Sequence, residues 1–423
     1  MNTTSRNHQA VILVLLTFFV ISFITNIMGP IFPALVSDFS ISLMVAGFFP
    51  FAFFVAYGVM SIPAGMITER WGEKPVLISA FLLATAGASL FFLKPELSSA
   101  FISLFLIGAA MAMLQVVINP LLRVAGGEEN FAFYSVLAQL VFGAAATLSP
   151  IVYTYLLKEL ATEQTSFIKN VFSMVPDNLP WLAMYGLFAI LTLTMLLYVS
   201  VLRLPTVKLS DNERIGTLVL HWQLLKSRQV QLFFLAIIAY VATEQGIANS
   251  ASLFLQRYHN LNPAVEGAAI VSQFWLLMTI GCLVGLGLLK LIDSRTLLKL
   301  FSFMAMIAYG AALFGSTSIT LIAFPATGFF LSIMWSVIFS LALNSTQKNH
   351  GSFAGILCSG IIGGALVSPI IGFIADITGE LRLGMLIVLL TLFYIFSIGF
   401  WAKPLVVNKI WSANKKFNAA EHS

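Results

Sequence analysis

The octapeptide AAATLSPI, residues 144–151, has a counterpart in GGALVSPI, residues 363–370, at an offset of 219 positions. Asn119 and Asn344 form a second pair, offset by 225 positions, and all four sites lie in long apolar segments. Either match alone is weak, because small apolar residues recur by chance. Two matches at nearly one offset predict an internal repeat. We therefore expect two homologous halves.

The composition is that of a membrane protein. Of 423 residues, 59% are hydrophobic and 9% are charged, and the mean hydropathy is +0.96, whereas soluble domains carry about 25% charged residues. A helix that crosses a bilayer needs about 20 mainly apolar residues. Segments of this kind lie at 10–34, 42–66, 75–93, 98–124, 130–157, 180–202, 229–256, 266–290, 296–315, 319–344, 351–375 and 382–402. The predicted fold class is an all-α polytopic membrane protein with twelve transmembrane helices in two six-helix, pseudo-symmetric halves.

The basic residues predict the orientation. Seventeen Lys and Arg residues fall on the side of the membrane that holds the N-terminus and five on the other side, and basic loops stay in the cytoplasm. We expect a bacterial inner-membrane protein with both termini cytoplasmic. The predicted division is a six-helix bundle (1–203), a cytoplasmic linker (204–228), a second six-helix bundle (229–403) and a cytoplasmic tail (404–423). The same bias accounts for the net charge of +5, so the charge does not indicate nucleic-acid binding.

The sequence offers few residues for a disulfide, a metal site or ATP hydrolysis. Cys282 and Cys358 fall within predicted spans, and the histidines lie in tails or loops, so neither a disulfide framework nor a metal site is indicated. The chain has no Gly-Lys-Ser/Thr phosphate loop, which argues against ATP hydrolysis. We expect a monomer that is not an enzyme and has no cofactor beyond a coupling ion. Its expected partners are the lipid bilayer and a small molecule.

The stretch GMITERWGEK, residues 65–74, joins spans 2 and 3 on the predicted cytoplasmic side. It resembles the G-x-x-x-[D/E]-R-x-G-x-[R/K] signature of the major facilitator superfamily. The resemblance implies an inner gate, in which Gly65 permits close helix approach and Gly72 supplies a turn. Glu69, Arg70 and Lys74 are the charged members of this gating motif. An ordinary charged loop is the alternative, but twelve spans and the repeat favour the gate.

A finer resemblance is to the fucose:proton symporter family of that superfamily. It is carried by SIPAG (61–65), INPLLRVAG (118–126), VLAQLVFGA (136–144), YVATEQG (240–246) and the stretch at 351–379. The resemblance implies import of a hexose, deoxyhexose or amino sugar, with a proton or with sodium. Fucose carriers have an aspartate where this chain has Gly29 and a glutamate where it has Gln115. The resemblance therefore does not extend to fucose itself.

Glu244 is the single acidic residue deep within a predicted span, since every other acid lies in a loop, in a tail or near a span end. A charged side chain at mid-membrane costs roughly 2.5–3.5 kcal/mol on insertion scales, so such a residue is a functional candidate by default. No Lys, Arg or His lies at comparable depth, and burial without a partner favours the protonated form. A group that is neutral when occluded and ionised when wetted can carry a proton, whereas an ionised Glu244 could help hold sodium. A protonated acid bonded to a neighbouring helix is the structural alternative.

Amide and tryptophan side chains within the spans are the candidate substrate ligands. Amides donate and accept hydrogen bonds at once, which suits sugar hydroxyls, and a tryptophan ring can cover a sugar face. The full set is Asn26, Gln115, Asn119, Gln139, Gln245, Asn249, Gln273, Trp275, Trp335 and Asn344. Each amide could instead join helices, a contact worth about 0.6 kcal/mol in membranes.

Together these features predict a secondary active transporter that imports a monosaccharide or related small polar solute by cation symport and alternating access. The alternative is an efflux carrier of the same fold that exports an amphiphilic drug or siderophore. The polar side chains within the spans favour import, whereas the missing family carboxylates and a phenylalanine-rich span 2 leave the alternative open. The sequence leaves the substrate, the coupling ion and the direction of transport open.

Overall fold

A computed structural model of the chain contains twelve helices that are long and apolar enough to cross a membrane, as the sequence predicts. The structure describes residues 7–126, 131–162, 167–205, 218–346 and 350–405. The helices are numbered here as spans 1 to 12: His8–Asp38, Leu43–Trp71, Glu73–Leu93, Leu97–Gly126, Tyr134–Ala161, Pro180–Val201, Arg228–His259, Pro263–Leu288, Ser294–Phe314, Thr317–Leu343, Gly351–Thr378 and Leu381–Trp401. All regular structure within the described ranges is helical.

Packing between the spans repeats with a shift of six. In the first half, span 2 packs on span 4, span 3 on spans 4 and 6, and span 1 on span 5. In the second half, span 8 packs on span 10, span 9 on spans 10 and 12, and span 7 on span 11. The halves meet where span 1 packs on span 7, span 2 on span 11 and span 5 on span 8. The predicted fold class is thus confirmed, and the exact domain boundaries stay a prediction.

Spans 1 and 10 are each divided into two α-helices by a short break, which the hydropathy pattern did not predict. Span 1 consists of His8–Thr25 and Met28–Asp38, and span 10 of Thr317–Leu331 and Met334–Leu343. At the break in span 1, Asn26 Nδ2 donates to the carbonyl oxygen and the hydroxyl of Ser22 at 3.0 and 3.1 Å. Breaks at membrane depth need such local partners, because lipid cannot satisfy the freed backbone groups.

The junction between spans 2 and 3 is tight. Gly72 has a φ of +83°, a left-handed conformation that glycine adopts at no steric cost, and its N–H donates to the carbonyl of Thr68 at 2.8 Å. Next to it, Lys74 Nζ donates to the carbonyls of Ser200 and Leu202 at 2.9 and 2.7 Å. The start of span 3 is therefore tied to the end of span 6, within the first half.

Apolar side chains cover the outer faces of the bundle. Leu197, Ile322, Leu390 and Phe393 are each more than 60% exposed, an arrangement that water would disfavour and lipid accommodates. The described lysine, arginine and acidic residues, apart from Glu244, lie at or near the span ends. The chain is a multi-pass membrane protein.

Candidate functional site

The carboxylate of Glu244 accepts a hydrogen bond at each oxygen. Span 7 is an unbroken helix of 32 residues, Arg228–His259, so Tyr240 lies one turn before Glu244 on the same face. Its hydroxyl donates to Oε2 at 2.6 Å, and Gln245 Nε2 donates to Oε1 at 3.1 Å. No ion pair involves Glu244 within the described residues. Neutral donors from its own helix therefore take the place of a fixed countercharge.

Tyr240 also links this carboxylate to span 10. Its ring lies 5.9 Å from that of Trp335, measured between centroids, and Trp335 stacks on Phe339 at 6.0 Å. Tyr240 is buried, while Trp335 and Glu244 are half-buried. One tyrosine thus contacts both the predicted coupling carboxylate and a predicted substrate-binding tryptophan.

Span 8 packs against span 10 beside this cluster. The Cys282 thiol donates to the carbonyl oxygen of Ser332 at 3.2 Å, at the break in span 10 and three positions before Trp335. Trp275 is seven positions before Cys282 and so lies on the same helix face, about two turns away. Trp275 is 3% exposed and Ser332 is 6% exposed, and neither the indole N–H nor the Ser332 hydroxyl has a hydrogen-bond partner within the described residues. Burying such groups unpaired is costly, so both are candidates for a hydrogen bond to a polar ligand.

One end of the bundle, which carries Asp38 and Asp376, is closed by helices of both halves and is called the sealed end. Span 1 crosses span 7 there so closely that a Cβ on Gly29 would lie 2.1 Å from the carbonyl oxygen of Ala248. Asn249 is buried beside it and donates to the Ser368 hydroxyl of span 11 at 3.4 Å. A cavity of about 10 Å³ lies at this point, lined by residues of spans 1, 2, 7, 11 and 12, among them Phe32, Leu43 and Leu253. Helices of both halves therefore pack together at this end.

The sequence matches the family model of the Major Facilitator Superfamily over residues 14–361. The chain belongs to the major facilitator superfamily. It is therefore a membrane transporter and not an enzyme, and the predicted superfamily is confirmed. The finer resemblance, to the fucose:proton symporter family, is also supported by individual relatives.

Those relatives cover nearly the whole transporter. The glucose/galactose transporter of Brucella abortus is 28% identical over 415 residues, which are 94% of this chain and 95% of that protein. The L-fucose-proton symporter of Escherichia coli is 26% identical over 407 residues, which are 90% of each chain. A crystal structure of the E. coli fucose:proton symporter matches with a TM-score of 0.66, at 22% identity over 93% of this chain and 98% of that one. At that identity the structural match shows the fold alone.

The transporter's structure separates the predicted substrate ligands into two groups. Gln245 and Trp335 belong to the cluster around Glu244, and Trp275 is buried on the face of span 8 that carries Cys282. Gln273 does not share that face, because it lies two positions from Trp275 and so points about 160° away around the helix. It is exposed on that outer face together with Leu276 and Ile280. The side of span 8 on which each residue lies decides this placement, and the residue type alone does not reveal that side.

Other predicted ligands lie elsewhere in the bundle. Asn26 is buried and bonded to its own helix, and Asn249 lies in the sealed end. Asn344 is half-buried just past the end of span 10, where its Nδ2 donates to the Ser340 hydroxyl at 3.3 Å. Gln115 is half-buried in span 4 and Gln139 is exposed in span 5. The structure does not describe the side chain of Asn119. A binding role stays a prediction for each of the residues Asn26, Gln115, Asn119, Gln139, Asn249 and Asn344.

The gating motif has its residues at the end of the bundle opposite the sealed end. Gly65 is buried in span 2, Glu69 and Arg70 are exposed in its last turn, and Gly72 forms the turn to span 3. The Lys74 ammonium caps the carbonyls at the end of span 6. In this conformation, Lys74 therefore bonds within the first half, and a gating role for the motif stays a prediction.

Sequence reasoning missed Tyr240, Ser332 and Asp376. The i, i+4 spacing of Tyr240 and Glu244 within YVATEQG was a usable signal, since that spacing puts two side chains on one face of a helix. Ser332 falls in a polar stripe of span 10 with Ser336, Ser340 and Asn344, but that pattern does not separate a ligand-binding serine from one that joins helices. The contacts of Asp376 cross between the halves and have no signature along the chain.

Proposed function

We propose that this transporter imports a monosaccharide or close relative together with a cation that binds at Glu244, and that this cation is a proton. The observation that carries the proposal is the Glu244 carboxylate, held in mid-membrane by the Tyr240 hydroxyl and the Gln245 amide without an ion pair in the described chain. Such a carboxylate can take up and release a proton at little structural cost, because its partners are neutral donors. Bound sodium at the same oxygens is the alternative coupling ion.

A sugar as substrate is supported by the relatives and by the cluster. The curated relatives are named for glucose, galactose and fucose. The Trp335 ring supplies a flat apolar face beside Tyr240, and the Trp275 N–H in span 8 and the Ser332 hydroxyl at the break in span 10 supply unpaired polar groups. Flat apolar faces with a few placed hydrogen-bonding groups are typical of small-molecule sites. We place the sugar against this cluster, between the two halves.

The proposed orientation of the protein in the membrane follows from the basic residues. With both termini in the cytoplasm, as the bias of 17 to 5 predicts, the sealed end faces outward. Spans 4 and 10, whose ends face the cytoplasm, make no extensive contact with each other within the described residues. The structure then represents an inward-facing state of an inner-membrane monomer, and the motif at 65–74 gates the cytoplasmic side in the alternate state.

The test is uptake of labelled glucose, galactose or fucose by membrane vesicles under an imposed inward proton or sodium gradient. We expect the wild type to accumulate one of these sugars. Glu244→Gln keeps the size of the side chain but cannot ionise, so it should abolish gradient-driven accumulation while exchange of labelled for unlabelled sugar persists. Glu266→Gln is the matched control, because that carboxylate is exposed at the start of span 8. Accumulation at the wild-type level in Glu244→Gln would contradict the coupling role.

An efflux carrier for amphiphilic compounds remains a second candidate, favoured by one observation. A recess of about 20 Å³ between spans 1, 2, 4 and 6 is lined almost entirely by apolar and aromatic side chains, among them Phe53, Phe54, Tyr185 and Phe188. An apolar group of a substrate would fit there. Increased drug sensitivity of cells that lack the gene, with no sugar accumulation in vesicles, would favour this function over import.

A further inference from the structure

Asp376 joins the two halves at the sealed end through backbone groups of the opposite half. It lies in the last turn of span 11, and its Oδ1 and Oδ2 accept hydrogen bonds from the N–H groups of Leu43 and Met44 at 3.2 and 2.8 Å. These are the first two N–H groups of span 2, which have no partner within their own helix. The third, that of Val45, donates to the Ser42 hydroxyl at 3.3 Å. The carboxylate therefore caps a helix that belongs to the other half.

The electrostatics of this contact depend on the two halves being together. Asp376 lies near the C-terminus of its own helix, Gly363–Thr378, where the helix dipole disfavours a negative charge. The N-terminus of span 2 favours a negative charge for the same reason. Separation of the halves would remove the favourable interaction and leave the unfavourable one. Since Asp376 is exposed, water can solvate the carboxylate when the contact opens, so the contact is reversible.

Glycines bring the two backbones close enough for a short side chain to reach. A Cβ on Gly372, one turn before Asp376, would lie 2.4 Å from the carbonyl oxygen of Leu43. A Cβ on Gly47, one turn after Leu43, would lie 2.6 Å from the backbone nitrogen of Pro369. With this close packing, a shift of either helix by more than about 1 Å takes the donors out of hydrogen-bond range. The cap therefore forms only in the sealed conformation.

We infer that Asp376 is a gating residue of the transport cycle, which stabilises the state closed to the outside by capping span 2. The inference rests on the proposed alternating access and on the orientation that puts the sealed end outside. Opening of that end requires the Asp376 carboxylate to leave the N-terminus of span 2.

The experiment measures access from outside to a reporter cysteine beneath the seal. Leu253 is 5% exposed and lines the small cavity at the sealed end, so Leu253→Cys should react slowly with a membrane-impermeant maleimide added outside intact cells. Adding Asp376→Asn removes the charge and keeps the shape. We expect labelling roughly 10- to 150-fold faster, the size of effect that loss of one hydrogen bond to a charged group produces. The parent without Leu253→Cys gives the background from the two native cysteines.

Glu380→Gln is the matched control. Glu380 is exposed at the same end, but its carboxylate accepts from the Tyr258 hydroxyl at 2.6 Å, within the second half. Labelling should not change in this variant. A second reporter, Phe32→Cys in span 1, repeats the measurement from the other half if Leu253→Cys expresses poorly.

The inference would be overturned if Leu253→Cys were labelled at the same rate with and without Asp376→Asn, at normal expression. It would also be overturned if Glu380→Gln accelerated labelling equally, since that would indicate a general charge effect. An absence of labelling in every variant would overturn it as well. The measurement needs no substrate. Failure of the proposed sugar import would therefore appear in the uptake assay alone, and failure of the gating role in the labelling assay.

Discussion

Gly29→Ala is the smallest change that should disturb the sealed end. The added Cβ would lie 2.1 Å from the carbonyl oxygen of Ala248, whereas ordinary contacts of this kind begin at 3.4 Å. Span 1 and span 7 must then separate by about 1 Å, and overpacking of this kind typically costs about 1–3 kcal/mol. Because the cost falls on the sealed state alone, its population relative to the outward-open state should drop by about 5- to 150-fold.

The assay is the initial rate of gradient-driven uptake of whichever labelled sugar the wild type accumulates. We expect at least about a fivefold fall in Gly29→Ala, with normal membrane insertion, because a carrier that seals poorly on the outside releases less substrate inside. Gly287→Ala is the control, since a Cβ at that position in span 8 would meet no atom within 4 Å. Wild-type uptake by Gly29→Ala would refute the packing argument.

Three further predictions concern the cluster and the inner gate. Tyr240→Phe removes the donor to Glu244 but keeps the ring beside Trp335, so accumulation should fall more than exchange, and an equal fall in both would contradict the role of the hydroxyl. Trp275→Phe should weaken sugar affinity by about 1–3 kcal/mol through loss of the indole N–H, measured as KM, whereas Gln273→Ala on the outer face of span 8 should leave KM unchanged. Arg70→Ala should slow transport at normal membrane insertion, and unchanged flux in vesicles would remove Arg70 from the gate.

Local features of the chain were enough to predict the fold class. Each span is set by the length of an apolar run, because a helix must satisfy its own backbone in lipid. The repeated octapeptide at 144–151 and 363–370 marked the two halves, and the packing repeats with the same shift of six spans. Glu244 could be selected for the same reason, since a lone acid in an apolar run is visible without any knowledge of its neighbours.

The sequence by itself therefore determined the number of spans, their pairing into halves and the unusual acid. Only the tertiary structure decided which helix faces meet. It placed Gln273 on the outside and Trp275 inside although they are two residues apart, and it bonded Asn26 to its own broken helix. It also brought Asp376 to the N-terminus of span 2, 332 residues away from Met44 along the chain. Hydropathy depends on each residue alone, whereas these contacts depend on the rotation and crossing of helices that are distant in sequence.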